Sequence, residues 1–187
     1  SIWYSWTAPA SGPAMFDTVG SWFNTLLAVY QGRNVRSLHV VAENGDINLG
    51  IGTSRVFFDA VQDEEYWIAI DGATGLSGDD PFAFSGTTWL NWSFGTPSND
   101  NFSAAEILSG LNGTVNGSTV FATKEPGEPN HAGNTGGHSI WYEWRSTTNG
   151  LATIELRSRG IFSTLLAVYT GESVDALSLV VASGDMS

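Results

Sequence analysis

The chain has 187 residues, with 7 basic against 19 acidic side chains, a net charge of −12 and no cysteine. So few Lys and Arg exclude a binder of phosphate backbones or anionic membrane surfaces, both of which need clustered basic groups. Without disulfides the fold must rest on its apolar core, and 42% hydrophobic residues with eight Trp are enough for one.

In chain order the pattern is strand after strand. "SIWYSW" (1–6) joins Ile, Trp and Tyr, all strand formers. "PAMFDTV" (13–19) alternates, and "TLLAVYQG" (25–32) is a continuous apolar run closed by Gly, the pattern of a strand buried on both faces. "SLHVVAE" (37–43) is β-branched and runs into an "NGD" turn. "SRVFFDAV" (54–61) and "EYWIAIDG" (65–72) flank "QDE" and read as an antiparallel pair; "TTWLNWSF" (87–94) is a further aromatic strand. "TPSND" (96–100) is a linker candidate. "FSAAEILSG" (102–110) has helical flavour, with Asn99 or Asp100 as its cap, and reads equally as a strand entry. "GTVNGSTVFAT" (113–123) carries an Asn-Gly hairpin signal, and "KEPGEPNHAGNTGG" (124–137) is a long Pro/Gly loop.

The chain then repeats itself. "SIWYEW" at 139–144 returns the opening aromatics 138 residues later, and "FSTLLAVYTG" at 162–171 returns "FNTLLAVYQG" at 23–32. "ALSLVVASGD" (176–185) loosely repeats "SLHVVAENGD" (37–46). A period this long describes a whole domain repeated in tandem, not a solenoid. The expected domains are 1–96, the C-terminal two-thirds of one module, and 97–187, the N-terminal two-thirds of the next. The chain is expected to be a window on a longer array, or a mature piece of one. Short strands at regular spacing predict an all-β fold of antiparallel, jelly-roll-like β-sandwich modules.

The order "NDNF-x-AA-x-x-LSG", "ATKEPGEPNHAG", "SIWYEW", "F-x-TLLAVYTG" and "SRVFF…YWIAIDG" resembles the pre-peptidase C-terminal (PPC)-like repeat modules of large secreted and surface bacterial proteins. The resemblance covers nearly the whole chain. It implies a calcium-tolerant or calcium-binding jelly roll without a catalytic centre, either accompanying secreted proteases or serving in adhesive surface proteins. The collagen-binding modules of clostridial collagenases are similar in fold, and there acidic linker residues bind calcium. The chain departs from the family in being cut out of phase with the module boundary.

Calcium takes six to eight oxygens from carboxylates, amides and carbonyls. Glu125, Glu128 and Asn130 in the acidic loop, with Asp100 and Asn99 at the module start and Asp46 or its copy Asp185, are the candidate ligands. The alternative is a solvated, ordered loop in an acidic protein. Asp71, Asp79 and Asp80 form a second acidic stretch that reads first as a turn. His39, His131 and His138 lack zinc-like spacing, and no G-x-S-x-G elbow is present, so neither a metal centre nor a serine nucleophile is expected. Trp22, Trp89 and Trp92 are candidates for a ligand or subunit contact; spaced by three, Trp89 and Trp92 point to opposite sides of a strand, which exposes one. Asn91, Asn101, Asn112 and Asn116 each start a sequon.

The expected function is a non-catalytic extracellular or cell-surface structural or adhesive repeat. It self-associates or binds neighbouring repeats, by strand complementation into a head-to-tail filament. The alternative is a calcium-dependent module binding collagen or carbohydrate beside a secreted hydrolase. Partners are then other repeats, a glycan or a matrix protein, not nucleic acid, and no membrane insertion is expected.

Overall fold

A computed structural model describes residues 1–46, 52–77, 80–158 and 163–184. The fold is all-β, with several antiparallel sheets and only three short 3-10 turns as helix among the described residues. The chain divides into two compact units, Ser1–Gly95 and Thr96–Ser187.

The first unit contains β1 (Ile2–Thr7), β2 (Gly12–Asp17), β3 (Thr25–Gln31), β4 (His39–Asn44), β5 (Arg55–Ala60), β6 (Glu65–Gly72), β7 (Thr74–Ser77), β8 (Asp80–Ala83) and β9 (Asn91–Phe94). A four-stranded antiparallel sheet runs β1-β6-β3-β4, and a three-stranded one runs β5-β2-β9; β7 and β8 form a separate ribbon. Alternation decides which side chains meet between the two main sheets. Leu27 and Val29 of β3 and Tyr66, Ile68 and Ile70 of β6 join Ala14 and Phe16 of β2 and Val56 and Ala60 of β5 in one core. Trp6 packs at its end, 5.5 Å from Phe16 and 5.6 Å from Phe94, centroid to centroid. This is β-sandwich-like packing of two sheets face to face.

Two polar clusters finish the sandwich. The Thr18, Thr25 and Ser54 hydroxyls are fully buried and bond one another, Thr18 to Thr25 at 2.6 Å and Thr25 to Ser54 at 3.1 Å. The Ser54 hydroxyl also donates to the Thr25 carbonyl at 2.6 Å. Asp17, 4% exposed, accepts from Arg55 Nη2 at 3.0 Å, Asn91 Nδ2 at 2.8 Å and the Val19 amide at 3.0 Å. A buried carboxylate is tolerable only when paired and bonded in this way.

Four expectations are corrected here. Residues 54–61 and 65–72 do not pair; β5 lies beside β2 and β6 between β1 and β3. The link is a tight turn with Asp63 at φ 64°, tied to Ala8 by the Ala8–Glu64 and Asp63–Ala8 backbone bonds, and it carries the chain from one sheet to the other. The run at 25–31 is buried on one face only, because no layer covers the other: Leu27 is 1% exposed and Leu26 42%. The strand at 87–94 shortens to Asn91–Phe94. The Asn-Gly stretch at 113–123 forms no hairpin.

The second unit contains β10 (Glu106–Leu108), β11 (Tyr142–Trp144), β12 (Leu165–Thr170) and β13 (Ser178–Gly184). A 3-10 turn at Phe102–Ala104 leads into β10, so the ambiguous stretch is a strand entry. β10 and β11 pair in parallel, an exception to the antiparallel expectation, and β12 pairs antiparallel with β13.

Shifted by 139 residues, β12 and β13 reproduce β3 and β4. Leu27 pairs with Asn44 as Leu166 pairs with Ser183, and both ladders bulge at the same place, Val29/Tyr30 and Val168/Tyr169. A 3-10 turn follows each first strand, at Val35–Ser37 and Val174–Ala176. The glycines closing β3 and β12 share a positive φ, 139° at Gly32 and 147° at Gly171. The repeat in sequence is therefore a repeat in structure.

The likeness does not extend to β2. Residues 150–155 repeat the pattern of β2 yet form no strand, and Leu151, Ile154 and Leu156 are 98%, 51% and 50% exposed. Ala122 is the one fully buried apolar residue of the second unit among the described residues.

Candidate functional site

With little apolar core, the second unit is ordered around the loop 122–138. Asp100, 7% exposed, ties the loop's start to the module's start: its two oxygens accept from the Thr123 amide at 2.5 Å and the Thr123 hydroxyl at 2.9 Å. Asn99 holds both sides of Trp141, accepting from its amide at 2.9 Å and donating from Nδ2 to its carbonyl at 3.1 Å. Glu125 accepts the Phe102 amide at 2.6 Å. Glu125 and Glu128, each followed by a proline, bond one another: Glu128 Oε2 accepts the Glu125 amide at 2.9 Å, and the Glu128 amide donates to the Glu125 carbonyl.

Glu128 then reaches His131. Its side chain is almost fully buried, and Oε1 lies 2.8 Å from His131 Nε2. On the other side of the ring, His131 Nδ1 is 3.0 Å from the Tyr169 hydroxyl. A carboxylate only accepts, so Nε2 carries a proton; in the neutral ring Nδ1 accepts from the phenol. The imidazole lies edge-on against Trp141 at 5.6 Å and Tyr169 at 5.7 Å. Burial pushes the Tyr169 phenol above its ordinary pKa, and the nearby Glu128 carboxylate adds to the rise. A tyrosine acting as nucleophile or base needs the opposite shift. The Tyr–His–Glu chain keeps the phenol protonated and clamps β12 to the loop.

Asn99, Asp100, Glu125, Glu128 and Asn130 thus fall in or beside one cluster, each with its side chain already hydrogen-bonded. Asp100, Glu125 and Glu128 serve amides, a hydroxyl and an imidazole. The Asn130 side-chain carbonyl accepts from the Lys124 ammonium at 2.9 Å, which also bonds the Thr135 carbonyl. Among the described residues no three of Asp, Glu, His or Cys are grouped to hold a metal ion. Asp185 and Asp79 lie outside the described residues, and Asp46 is exposed. His138 bonds the Ala122 carbonyl at 2.5 Å, and His39 lies 3.3 Å from the Gln31 side-chain oxygen.

The tryptophan candidates are all in the first unit. Trp22 is 89% exposed, Trp89 59% and Trp92 62%. The expectation that only one of the last two is exposed fails, because Trp89 precedes β9 and strand alternation does not reach it. Trp89 lies over Gly20 and its amide bonds the Ser21 hydroxyl at 2.9 Å, which sets it beside the loop carrying Trp22.

The His131–Tyr169 clamp was not singled out from the sequence. A signal was present: Tyr169 and Trp141 repeat Tyr30 and Trp3, whose rings also meet, at 5.7 Å. Glu128 and His131 stand three apart in a Pro/Gly-stiffened loop. Comparisons with models of known protein families, with curated proteins and with solved structures give no match.

Proposed function

We propose that this chain is a non-catalytic structural or adhesive repeat of an extracellular or cell-surface protein, whose jelly-roll-like modules, related to the PPC type, associate with further copies of themselves. One observation carries the reading. Residues 165–184 reproduce the strands, register, bulge, 3-10 turn and glycine turn of 26–45, so one structural element occurs twice in the chain. Sheet edges and apolar faces of a repeated module are satisfied by a neighbouring repeat. Such contact is head-to-tail and need not close, which yields a filament.

Negative-stain electron microscopy of the purified chain, with and without a calcium chelator, tests this. Filaments or end-to-end oligomers are expected. Loss of them on chelation would support calcium at Glu125, Glu128, Asp100 and Asn130 after all. A compact monomer whose mass by light scattering does not change with concentration would sink the self-association.

A second reading rests on Trp22, Trp89 and Trp92, three exposed indoles on one unit. Indoles in water stack on sugars or bury at protein contacts, which suits an accessory module binding carbohydrate or collagen. Retention on immobilised glycan or collagen, lost on replacing Trp22 and Trp92 with Ala, would favour it.

A further inference from the structure

We propose that the chain carries two sites of self-modification, Asn112 and Asn149, where the side-chain amide closes on the next backbone nitrogen and is lost as ammonia, leaving aspartate or isoaspartate. Four Asn-Gly pairs occur in the sequence, at 44–45, 112–113, 116–117 and 149–150. Asn is among the thermally labile side chains, because its carbonyl carbon reaches the following nitrogen in a five-membered ring. A side chain on the following residue obstructs that ring; Gly has none and leaves the backbone free to turn. By sequence the four pairs are equivalent. In the fold they are not.

Asn44 lies in β4, opposite Leu27 in the ladder. Its side-chain oxygen accepts from the Arg55 amide at 3.4 Å, and Gly45 lies against the Leu26 side chain. Ring closure there would pull the end of the strand out of the sheet. Asn116 is exposed, but Gly117 lies against the Tyr142 hydroxyl and Ile140, which hold the backbone that has to turn. Asn112 and Asn149 meet neither restraint. Both are exposed and outside any strand, and neither they nor Gly113 and Gly150 take part in a hydrogen bond among the described residues. Open space surrounds the two glycines, with no atom within 4 Å of where a Cβ would stand.

In the step, the Gly nitrogen bonds to the Asn side-chain carbon as the bond from that carbon to Nδ2 breaks. The proton of the Gly amide leaves with Nδ2 as ammonia. Water then opens the cyclic imide at either carbonyl, giving aspartate or, with the main chain rerouted through the side chain, isoaspartate. Nothing is oxidised or reduced. Each conversion adds a negative charge to a chain already at −12. At Asn112, which opens a sequon, it also removes the nitrogen that a glycan would occupy.

The test incubates the purified full chain at mildly alkaline pH, well below its thermal unfolding, and follows each Asn by peptide mass spectrometry. A parallel sample is held in denaturant. In the fold, Asn112 and Asn149 are expected to convert faster than Asn44 by roughly tenfold or more, with Asn116 between; in denaturant the four should converge. Gly113→Ala and Gly150→Ala, which have room for the methyl group and no positive φ, should each slow their own site alone. Folded Asn44 converting as fast as Asn112 and Asn149, a ranking that survives denaturation, or rates unchanged by the Ala variants would overturn the proposal.

Discussion

Leu27 and Leu166 are the same residue of the repeat in two settings, and truncating each to Ala separates the sequence of a strand from its surroundings. Leu27 is 1% exposed, between β6 and β4 in the sheet and against the β2–β5 layer in the core. Removing a fully buried Leu side chain costs about 3 kcal/mol, the sum of lost transfer energy and the cavity left behind. Leu166 is half-buried, has β13 on one side and no second sheet above it. Half the transfer energy of a Leu and little cavity amounts to about 1 kcal/mol. Hydrogen exchange resolved by peptide reports the two units separately. Leu27→Ala should speed exchange across β3 and β6 by roughly a hundredfold, and Leu166→Ala that of β12 and β13 by roughly fivefold. Equal losses would mean that Leu166 sits in a core as full as that around Leu27, and would refute the reasoning.

Asp17→Ala should destabilise the first unit by about 3 kcal/mol, since it strands Arg55, orphans the Val19 amide and leaves Asn91 Nδ2 only the Val19 carbonyl, although the partial exposure of Arg55 softens the loss; thermal unfolding measures it. Ser54→Ala should cost roughly 1–3 kcal/mol in the same assay, as the Thr25 hydroxyl and carbonyl lose a buried partner. Gly32→Ala and Gly171→Ala should each cost about 1–3 kcal/mol, Gly32 the more, because a Cβ there would sit 2.7 Å from the Ser37 carbonyl against 3.0 Å from that of Ala176. The Tyr169 pKa is raised in the fold, so its contribution is complete below the ordinary tyrosine range and is lost as pH climbs through that range to the folded value. Tyr169→Phe should flatten the alkaline loss of the second unit, measured by exchange in 124–134 and 164–170 against pH.

Much of the first unit was legible in its residues. The alternation of Ala14 and Phe16, Val56 and Ala60, and Tyr66, Ile68 and Ile70 names the core side chains before any strand is placed. Strand order was not legible. "SRVFFDAV" and "EYWIAIDG" have the spacing of a hairpin, but "SIWYSW" competes for the same edge of β6 and wins. Local pattern cannot rank two partners when both are apolar and alternating. The loop site was half legible: its acidic residues drew attention as cation ligands, whereas in the fold they accept from the backbone amides of Phe102 and Glu125.

The deeper limit appears where the chain repeats itself. "GPAMFD" at 12–17 is a central strand with β5 and β9 on its edges; "GLATIE" at 150–155 has the same apolar alternation and is an exposed extended segment. No propensity scale separates them, because what differs is the neighbour. A strand leaves half its backbone groups unpaired until something lies beside it, and one strand alone does not offset the entropy of its own ordering. β12 keeps its form because β13 follows eight residues behind it, a local partner held by the glycine turn, whereas the partners of β2, namely β5 and β9, are distant from it in sequence. The repeat thus sorts its elements by reach: those paired locally form in either copy, and those paired at long range form only where the partner is at hand.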